Sequence, residues 1–282
     1  ETFVGYMMPL FGFLLCLLTW KSLSLDTTEE ALRYLFYPNF SKLSLSSPGH
    51  AFGHVLFTLS IGFTTMVTFG RYLPESSKVP STGFRIATVD SIISILAGML
   101  VFPLVISFSN VEHGPLLLFE TVPSFVNSLP GGIVFGLGFF VCLYLGAFAA
   151  SLSLLDTLVA NVRERSKVPR LKAAISGGVF AFVMALVPAL SSSNFGEVRW
   201  FDKSLLELWD SALVHWYLPV AAVLLSQVIF YYLPRRNKLV EFEDEEDPRF
   251  DHLYSQWRIT MKWIIPGIAI ACIFLQILDF FI

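Results

Sequence analysis

Seven stretches of the chain carry almost no charge and are long enough to cross a bilayer as helices. The hydrocarbon core of a membrane is about 30 Å thick, which takes ~20 helical residues. Main-chain polar groups in hydrocarbon must be satisfied within their own segment, so these stretches predict helices and not open sheet. The predicted spans are Thr2–Trp20, Ala51–Gly70, Ser91–Asn110, Gly131–Leu155, Ala173–Gly196, Ser211–Pro234 and Trp263–Leu278.

Pro130, Gly131 and Gly132 divide a longer uncharged stretch, and we expect a helix to begin there. The residues just before them, Gly114–Leu129, are short and bracketed by prolines, which favours a surface or re-entrant hairpin. Composition agrees with a membrane protein, since 55% of the 282 residues are hydrophobic, 15% are charged and the mean hydropathy is +0.66. A soluble domain carries nearer a quarter charged residues. The sequence therefore predicts an all-α polytopic membrane protein with seven transmembrane helices.

The distribution of lysine and arginine predicts how the chain is oriented. Loops Arg71–Arg85, Arg163–Lys172 and Arg235–Lys262 hold 14 of the 19 basic residues. Because basic loops stay in the cytoplasm, these three are expected inside. The chain then begins in the cytoplasm and, after an odd number of spans, ends outside. The membrane is expected to be the cell inner (plasma) membrane. Glu1 stands where an initiator Met would be, so the sequence is trimmed, processed or part of a longer chain.

The second predicted span has an unusual centre, Phe57–Thr65, where hydroxyls and a glycine replace the usual Leu, Val and Ala. Glycine weakens a helix and frees main-chain groups. Freed groups are tolerated at membrane depth only where they line a protein cavity. The alternative is that Ser60 and Gly62 merely allow close helix packing, as small residues do in bilayers. The pattern alone leaves both interpretations open.

Asp90 is a carboxylate at the start of the third predicted span, followed by about 20 uncharged residues. A carboxylate within a span costs a few kcal/mol or more, which favours a cation or proton as its partner. An interfacial position in contact with water is the alternative, and sequence position does not decide between them.

Motifs for other functions are missing from the sequence. It has no Gly-rich phosphate loop, nucleophile elbow or zinc motif, and His54, His113 and His215 share no metal-ligand spacing. The net charge of −3 is unclustered and gives no sign of a nucleic-acid partner. We expect no enzyme and no metal beyond alkali ions.

The chain resembles the bacterial neurotransmitter:sodium symporters, which have the leucine-transporter fold. Several motifs carry the resemblance in the family's order and spacing: Tyr37–Lys42, the Phe57-Thr58-Leu59-Ser60 core of Ala51–Tyr72, Ala87–Pro103, Gly114–Phe119 and Pro130–Gly132. The resemblance implies that the seven spans are helices five to eleven of that fold, with the second of them unwound mid-membrane. Substrate and ions in this fold bind at the midplane of an inverted repeat.

The same resemblance sets the expected organisation of the chain. It implies a single transmembrane region over residues 1–282, with a second inverted repeat at about 51–234. Flanking helices cover 2–20 and 257–281, and a cytoplasmic linker covers 235–256. Family helices one and three are not in these residues, so the binding site is expected to need the missing N-terminal helices.

Residue roles carry over from the family position by position. Phe57, Thr58, Ser60, Phe63 and Leu154 match substrate-binding positions, and their largely apolar character implies a hydrophobic amino acid. The sodium ligands implied by the match are Thr58, Asp90 and Gly146. Asp210 and Glu164 match outer and inner gate residues, whose arginine partners lie in the missing helices. An ordinary interfacial charge is the alternative for each.

Ion coupling shows one departure from the family pattern. Relatives carry Thr and Ser where this chain has Ala149 and Ala150, and a methyl group cannot coordinate a hard cation. We therefore expect a weakened or absent second sodium site. Asp90 favours chloride independence, whereas Ser94, at a position that is Glu in some chloride-independent members, opposes it. His54 replaces a Gln that is common nearby in relatives, which leaves chloride dependence open.

Two functions fit these observations. The first is sodium-coupled symport of a small hydrophobic amino acid by alternating access, with sodium as the coupling ion and an incomplete chain. The second is a truncated homologue without transport activity, acting as a partner subunit or a remnant. The expected partners are an amino-acid substrate and the lipid bilayer, with homodimerisation left open.

Overall fold

The computed structural model describes residues 2–37, 39–74, 77–106, 122–128, 131–191, 205–234, 242 and 249–281. All regular elements in this part of the chain are helical, as the sequence predicts. The helices are α1 (Thr2–Ser22), α2 (Thr28–Phe36), α3 (Ser47–Thr58), α4 (Thr65–Gly70), α5 (Val79–Ile106), α6 (Val122–Ser128), α7 (Gly132–Ser166), α8 (Arg170–Ser191), α9 (Leu205–Ser211), α10 (Leu218–Tyr232), α11 (Arg249–Ile259) and α12 (Ile265–Phe281).

Six helices in the described residues are long and apolar enough to cross a membrane. They are Val4–Ser22, Val79–Ile106, Gly132–Ser166, Arg170–Leu190, Leu205–Tyr232 and Leu253–Leu278. The seventh predicted span, Ala51–Gly70, is divided between α3 and α4, so neither piece alone has the necessary length. The count of seven spans stays a prediction.

Several helices extend past the charged residues at which we expected them to end. The third span was predicted from Ser91, but α5 begins at Val79 and contains Asp90 in its interior. Charge sets where a helix leaves hydrocarbon and does not stop its hydrogen-bond ladder. Part of the predicted hairpin forms α6, while Gly114–Thr121 and most of the predicted linker lie outside the described residues.

Two π-helical segments interrupt the long apolar helices, each two residues before a proline. Ala212–Tyr217 precedes Pro219, and Thr260–Ile264 precedes Pro266. In the second segment the Ile265 amide donates to the Thr260 carbonyl. Pro266 has no amide hydrogen, so the next carbonyl, that of Met261, loses its main-chain donor. The Gln227 side chain donates to this carbonyl at 3.4 Å.

The described chain forms two compact units, Glu1–Ser41 with Val89–Asp156 and Lys42–Thr88 with Thr157–Ile282. In the first unit, side-chain hydroxyls join the end of α1 to α5. Thr19 donates to the Leu96 carbonyl at 3.2 Å, and Ser22 donates to the Leu100 carbonyl at 2.7 Å. Its buried core is Leu15, Leu18, Leu100, Leu104, Val122, Val126, Phe135, Phe139 and Cys142. Small polar groups thus hold together helices whose exposed faces are apolar.

In the second unit, α3 packs closely against the π segment Ala212–Tyr217, α10 and α12. The core there is Leu56, Leu218 and Ala222. Gly53 allows the close approach, because a Cβ at this position would lie 2.3 Å from the Val214 carbonyl oxygen. This packing places the end of α3 beside the π segment.

Candidate functional site

The helix that begins at Ser47 breaks between Thr58 and Thr65. Three residues in the break have positive φ: Ser60 at 53°, Gly62 at 101° and Thr64 at 60°. Residues other than glycine rarely adopt this conformation, and it cannot continue a right-handed helix. The unusual composition seen in the sequence therefore corresponds to an interrupted helix.

The break leaves main-chain groups without helical partners. The Ser60 amide donates to the Phe57 carbonyl at 3.0 Å, and the Ile61 amide donates to the Leu56 carbonyl at 2.8 Å. Within the described residues, no main-chain amide donates to the carbonyls of Thr58 or Leu59. Carbonyl oxygens at the end of a helix carry partial negative charge and suit a cation or an ammonium group.

Close packing also occurs at the break, as expected for small residues in membrane helices. A Cβ at Gly62 would lie 3.0 Å from Leu218 Cδ2 and 3.1 Å from Ala221 Cβ. Tyr217 donates a long hydrogen bond of 3.5 Å to the Gly62 carbonyl. The Thr65 hydroxyl, at the start of α4, is buried and has no hydrogen-bond partner in the described part of the chain.

Aromatic rings flank the break on either side. Phe57 and Phe63 meet edge to face with ring centroids 6.0 Å apart, and Phe63 lies 6.5 Å from the Tyr217 ring. Phe63 lines an apolar cavity of ≈540 Å³ with Trp209 and Tyr217. Two of the predicted substrate positions thus contact each other across the break, and Ser60 lies between them in the chain.

A second cavity, of ≈450 Å³, is lined by Phe57. Its charged and polar lining consists of Asp210, the predicted outer gate residue, with His50, His54 and His215. The structure therefore places Asp210 and Phe57 in one cavity. The histidines went unnoticed as a group because α3 and the π segment are far apart in the sequence.

Thr58 ends α3 and is exposed, and its hydroxyl donates to the Val55 carbonyl at 3.2 Å. Its predicted sodium partners Asp90 and Gly146, with Leu154, belong to the other compact unit. In that unit Asp90 is half-buried on α5, while α7 carries Gly146 and an exposed Leu154. The pairing of Thr58 with Asp90 and Gly146 stays a prediction.

Glu164, the predicted inner gate residue, lies near the end of α7 and has a partner within its own unit. It forms a 3.0 Å ion pair with Arg71, which follows α4. The family resemblance implied an arginine from the missing helices as its partner, and the sequence did not identify Arg71. The only signal available was that Arg71 is the first charged residue after the broken span.

No group of three or more His, Cys, Asp or Glu side chains in the described residues is arranged to hold a metal ion. A hard alkali cation needs oxygen ligands, which the break supplies through carbonyls and the Thr58 hydroxyl. In the other unit, Ala149 is buried, and the Ser153 hydroxyl donates to its carbonyl at 3.0 Å. The Ala149 carbonyl therefore accepts this side-chain hydrogen bond in addition to taking part in the helix main chain.

Comparison with known proteins assigns the family. The profile of the Sodium:neurotransmitter symporter family matches residues 2–280. The chain belongs to this family. The relatives that it matches are named sodium-dependent transporters and not enzymes, in agreement with the prediction from the sequence.

Individual relatives agree with this assignment. The chain is 29% identical over 279 residues to the uncharacterized sodium-dependent transporter YhdH of Bacillus subtilis, covering 99% of this chain and 61% of the relative. It is 25% identical to an uncharacterized sodium-dependent transporter of Haemophilus influenzae, covering 96% of this chain and 59% of that one. The symporter-family chain thus spans about three fifths of the length of these curated relatives.

A solved structure confirms the fold. The crystal structure of MhsT in complex with L-phenylalanine superposes with a TM-score of 0.83 at 27% identity, over 96% of this chain and 61% of that one. The predicted leucine-transporter fold is therefore correct for this family member.

Proposed function

We propose that this chain forms part of a sodium-coupled symporter that carries a small hydrophobic amino acid by alternating access. The break between Thr58 and Thr65 carries the proposal, because it exposes carbonyl oxygens beside Phe57 and Phe63. The carbonyls would bind the ammonium group of the substrate or a sodium ion, while the rings contact an apolar side chain. The family assignment and the L-phenylalanine bound in the MhsT structure support this proposal.

The proposed sodium site combines the Thr58 hydroxyl and the Asp90 carboxylate with the Gly146 carbonyl. A carboxylate would neutralise the ion locally, which compensates for the cost of a charge within the membrane. Leu154 would complete the apolar substrate surface. Asp210 and Glu164 would close the outer and inner ends of the pathway, with the chain starting inside and ending outside the plasma membrane.

The test is sodium-dependent binding and uptake of a panel of labelled hydrophobic amino acids by the longest natural reading frame in proteoliposomes. Thr58→Val keeps the side-chain shape and removes the hydroxyl, so we expect the sodium concentration for half-maximal binding to rise about tenfold, equivalent to ~1.4 kcal/mol. Thr88→Val is the matched control, because the Thr88 hydroxyl is exposed and donates to the Phe84 carbonyl of its own helix.

Uptake that is independent of sodium would contradict the proposal. Unchanged sodium affinity in Thr58→Val would contradict the assigned ligand. Absence of any uptake from the natural reading frame would favour a homologue without transport activity. That alternative draws on Ala149 and Ala150, where the family's hydroxyl ligands are replaced.

A further inference from the structure

A histidine pocket, consisting of His50, His54, Asp210 and His215, lies beside Phe57 in the second compact unit. The pocket is open at the surface of the unit and has a volume of ≈450 Å³. By the charge distribution of the loops, this end of the unit faces outside. None of the three histidines has a place in the substrate and sodium roles assigned above.

The two halves of the pocket come from separate parts of the chain. α3 carries His50 and His54 one helical turn apart, so both point to one face. His215 belongs to the π segment Ala212–Tyr217, and its ring meets that of His50 edge to face, with centroids 4.2 Å apart at 83°. The packing of Gly53 against Val214 brings the two imidazoles together.

One main-chain carbonyl, that of Val214, loses its helical donors where the π segment packs against Gly53 of α3. The Leu218 amide, which would serve the Val214 carbonyl in an α-helix, donates to Leu213 instead. Pro219 follows and has no amide hydrogen, so Val214 loses its π-type donor as well. The pocket itself holds the Asp210 carboxylate together with its imidazoles, and a carboxylate favours positive charge nearby.

The charged groups that face the ring pair can be named element by element. α3 contributes His54 and α9 contributes Asp210, while the group that α12 brings toward α3 at Gly49 is the uncharged amide of Gln276. In the described lining of the pocket, Asp210 is the only carboxylate. Imidazole is the side chain that ordinarily changes charge between pH 5 and 8.

We propose that the histidine pocket is a proton-binding site that controls the outer end of the substrate pathway. A proton on His50 or His215 supplies Asp210 with a cation from within its own unit. That cation competes with the arginine expected to pair with Asp210 when the outer gate closes. The inference rests on the proposed symport function, and it predicts that acid outside slows uptake.

The test measures initial sodium-driven uptake of labelled L-phenylalanine by the natural reading frame in liposomes. Internal pH is held at 7.5 while external pH varies from about 5.0 to 8.5. We expect uptake to fall as the external pH is lowered through the range in which an imidazole ordinarily gains a proton. The double variant His50→Gln/His215→Gln should lose most of this pH dependence and match the wild type at pH 8. His252→Gln, on α11, controls for the loss of a histidine as such.

A wild-type profile that is flat between pH 5 and 8.5 overturns the inference, as does a double variant that keeps the wild-type profile. A direct measurement separates this inference from the symport proposal. Ring-labelled histidine spectra of the protein in nanodiscs, assigned by single variants, should show His50 and His215 titrating in this range. These titrations support the proton site even if no uptake is found, and their absence overturns it.

Discussion

Replacing Gly53 by alanine tests whether α3 depends on its close approach to the π segment. An added Cβ would lie 2.3 Å from the Val214 carbonyl oxygen, 3.0 Å from Val214 Cγ1 and 3.1 Å from its carbonyl carbon. The nearest obstacle is the main-chain carbonyl of Val214, which cannot rotate out of the way as a side chain can. Either α3 or the π segment must therefore move.

The size of the effect follows from two opposing terms. Alanine favours a helix interior over glycine by roughly 0.5–1 kcal/mol. Overpacking a close contact costs typically about 1–3 kcal/mol. The contact term is the larger at 2.3 Å, so we expect Gly53→Ala to destabilise the protein by ~1–2 kcal/mol. This corresponds to a fall of about 2–8 °C in melting temperature.

Two other glycines in the same unit provide graded controls. At Gly49 the nearest atom is Nε2 of the Gln276 side chain, at 2.6 Å, and a side chain can rotate away. At Gly178 on α8 no atom of the described chain lies within 4 Å, so only the helix preference remains. Thermal unfolding of the purified protein in detergent should rank Gly178→Ala above the wild type, Gly49→Ala near it and Gly53→Ala below it. If Gly53→Ala melts at or above Gly178→Ala, the close contact does not limit stability and the reasoning is wrong.

Three further predictions concern the break, the inner end and ion coupling. Gly62→Ala should weaken substrate binding and lower the melting temperature, because a left-handed conformation costs a residue with a Cβ roughly 1–2 kcal/mol; binding equal to the wild type would contradict this. Arg71→Glu should reduce uptake, and the charge exchange Arg71→Glu/Glu164→Arg should restore it. Thermal unfolding should change little, because the two side chains are 55% and 59% exposed and exposed ion pairs contribute under ~1 kcal/mol. If the exchange does not restore uptake, this ion pair has no role in the transport cycle. Ala149→Thr/Ala150→Ser should raise sodium affinity in the uptake assay by supplying hydroxyl ligands, and unchanged sodium dependence would count against the weakened second site.

Local rules were enough to predict the membrane helices, whereas for the broken span they left two interpretations open and the family resemblance implied the unwinding. Charge-free length predicts the membrane helices, because the bilayer imposes one thickness on every segment. The cluster of hydroxyls and Gly62 marks the break because these residues favour a helix interior least. The positions of helix ends were predicted less accurately, as the start of α5 shows. Hydrophobicity indicates which residues lie within the membrane and not where main-chain hydrogen bonding stops.

The partners of functional residues could not be predicted in the same way. Nothing near Glu164 in the sequence points to Arg71, and nothing near His50 points to His215. The π segments have a sequence signal in Pro219 and Pro266, but a proline can also end or kink a helix. Neighbouring helices decide which outcome occurs, and the Gln227 side chain that reaches Met261 shows how a carbonyl freed in this way is satisfied.

The sequence by itself determined the membrane class, the symporter family and the unusual composition around Ser60 and Gly62, because hydrophobic length and backbone preference act within a few neighbouring residues. Only the tertiary structure decided that Phe57 and Asp210 line one pocket with the histidines, and that Glu164 forms an ion pair with Arg71 of the same chain. Those features arise from contacts between residues more than 90 positions apart, whose juxtaposition depends on how whole helices pack.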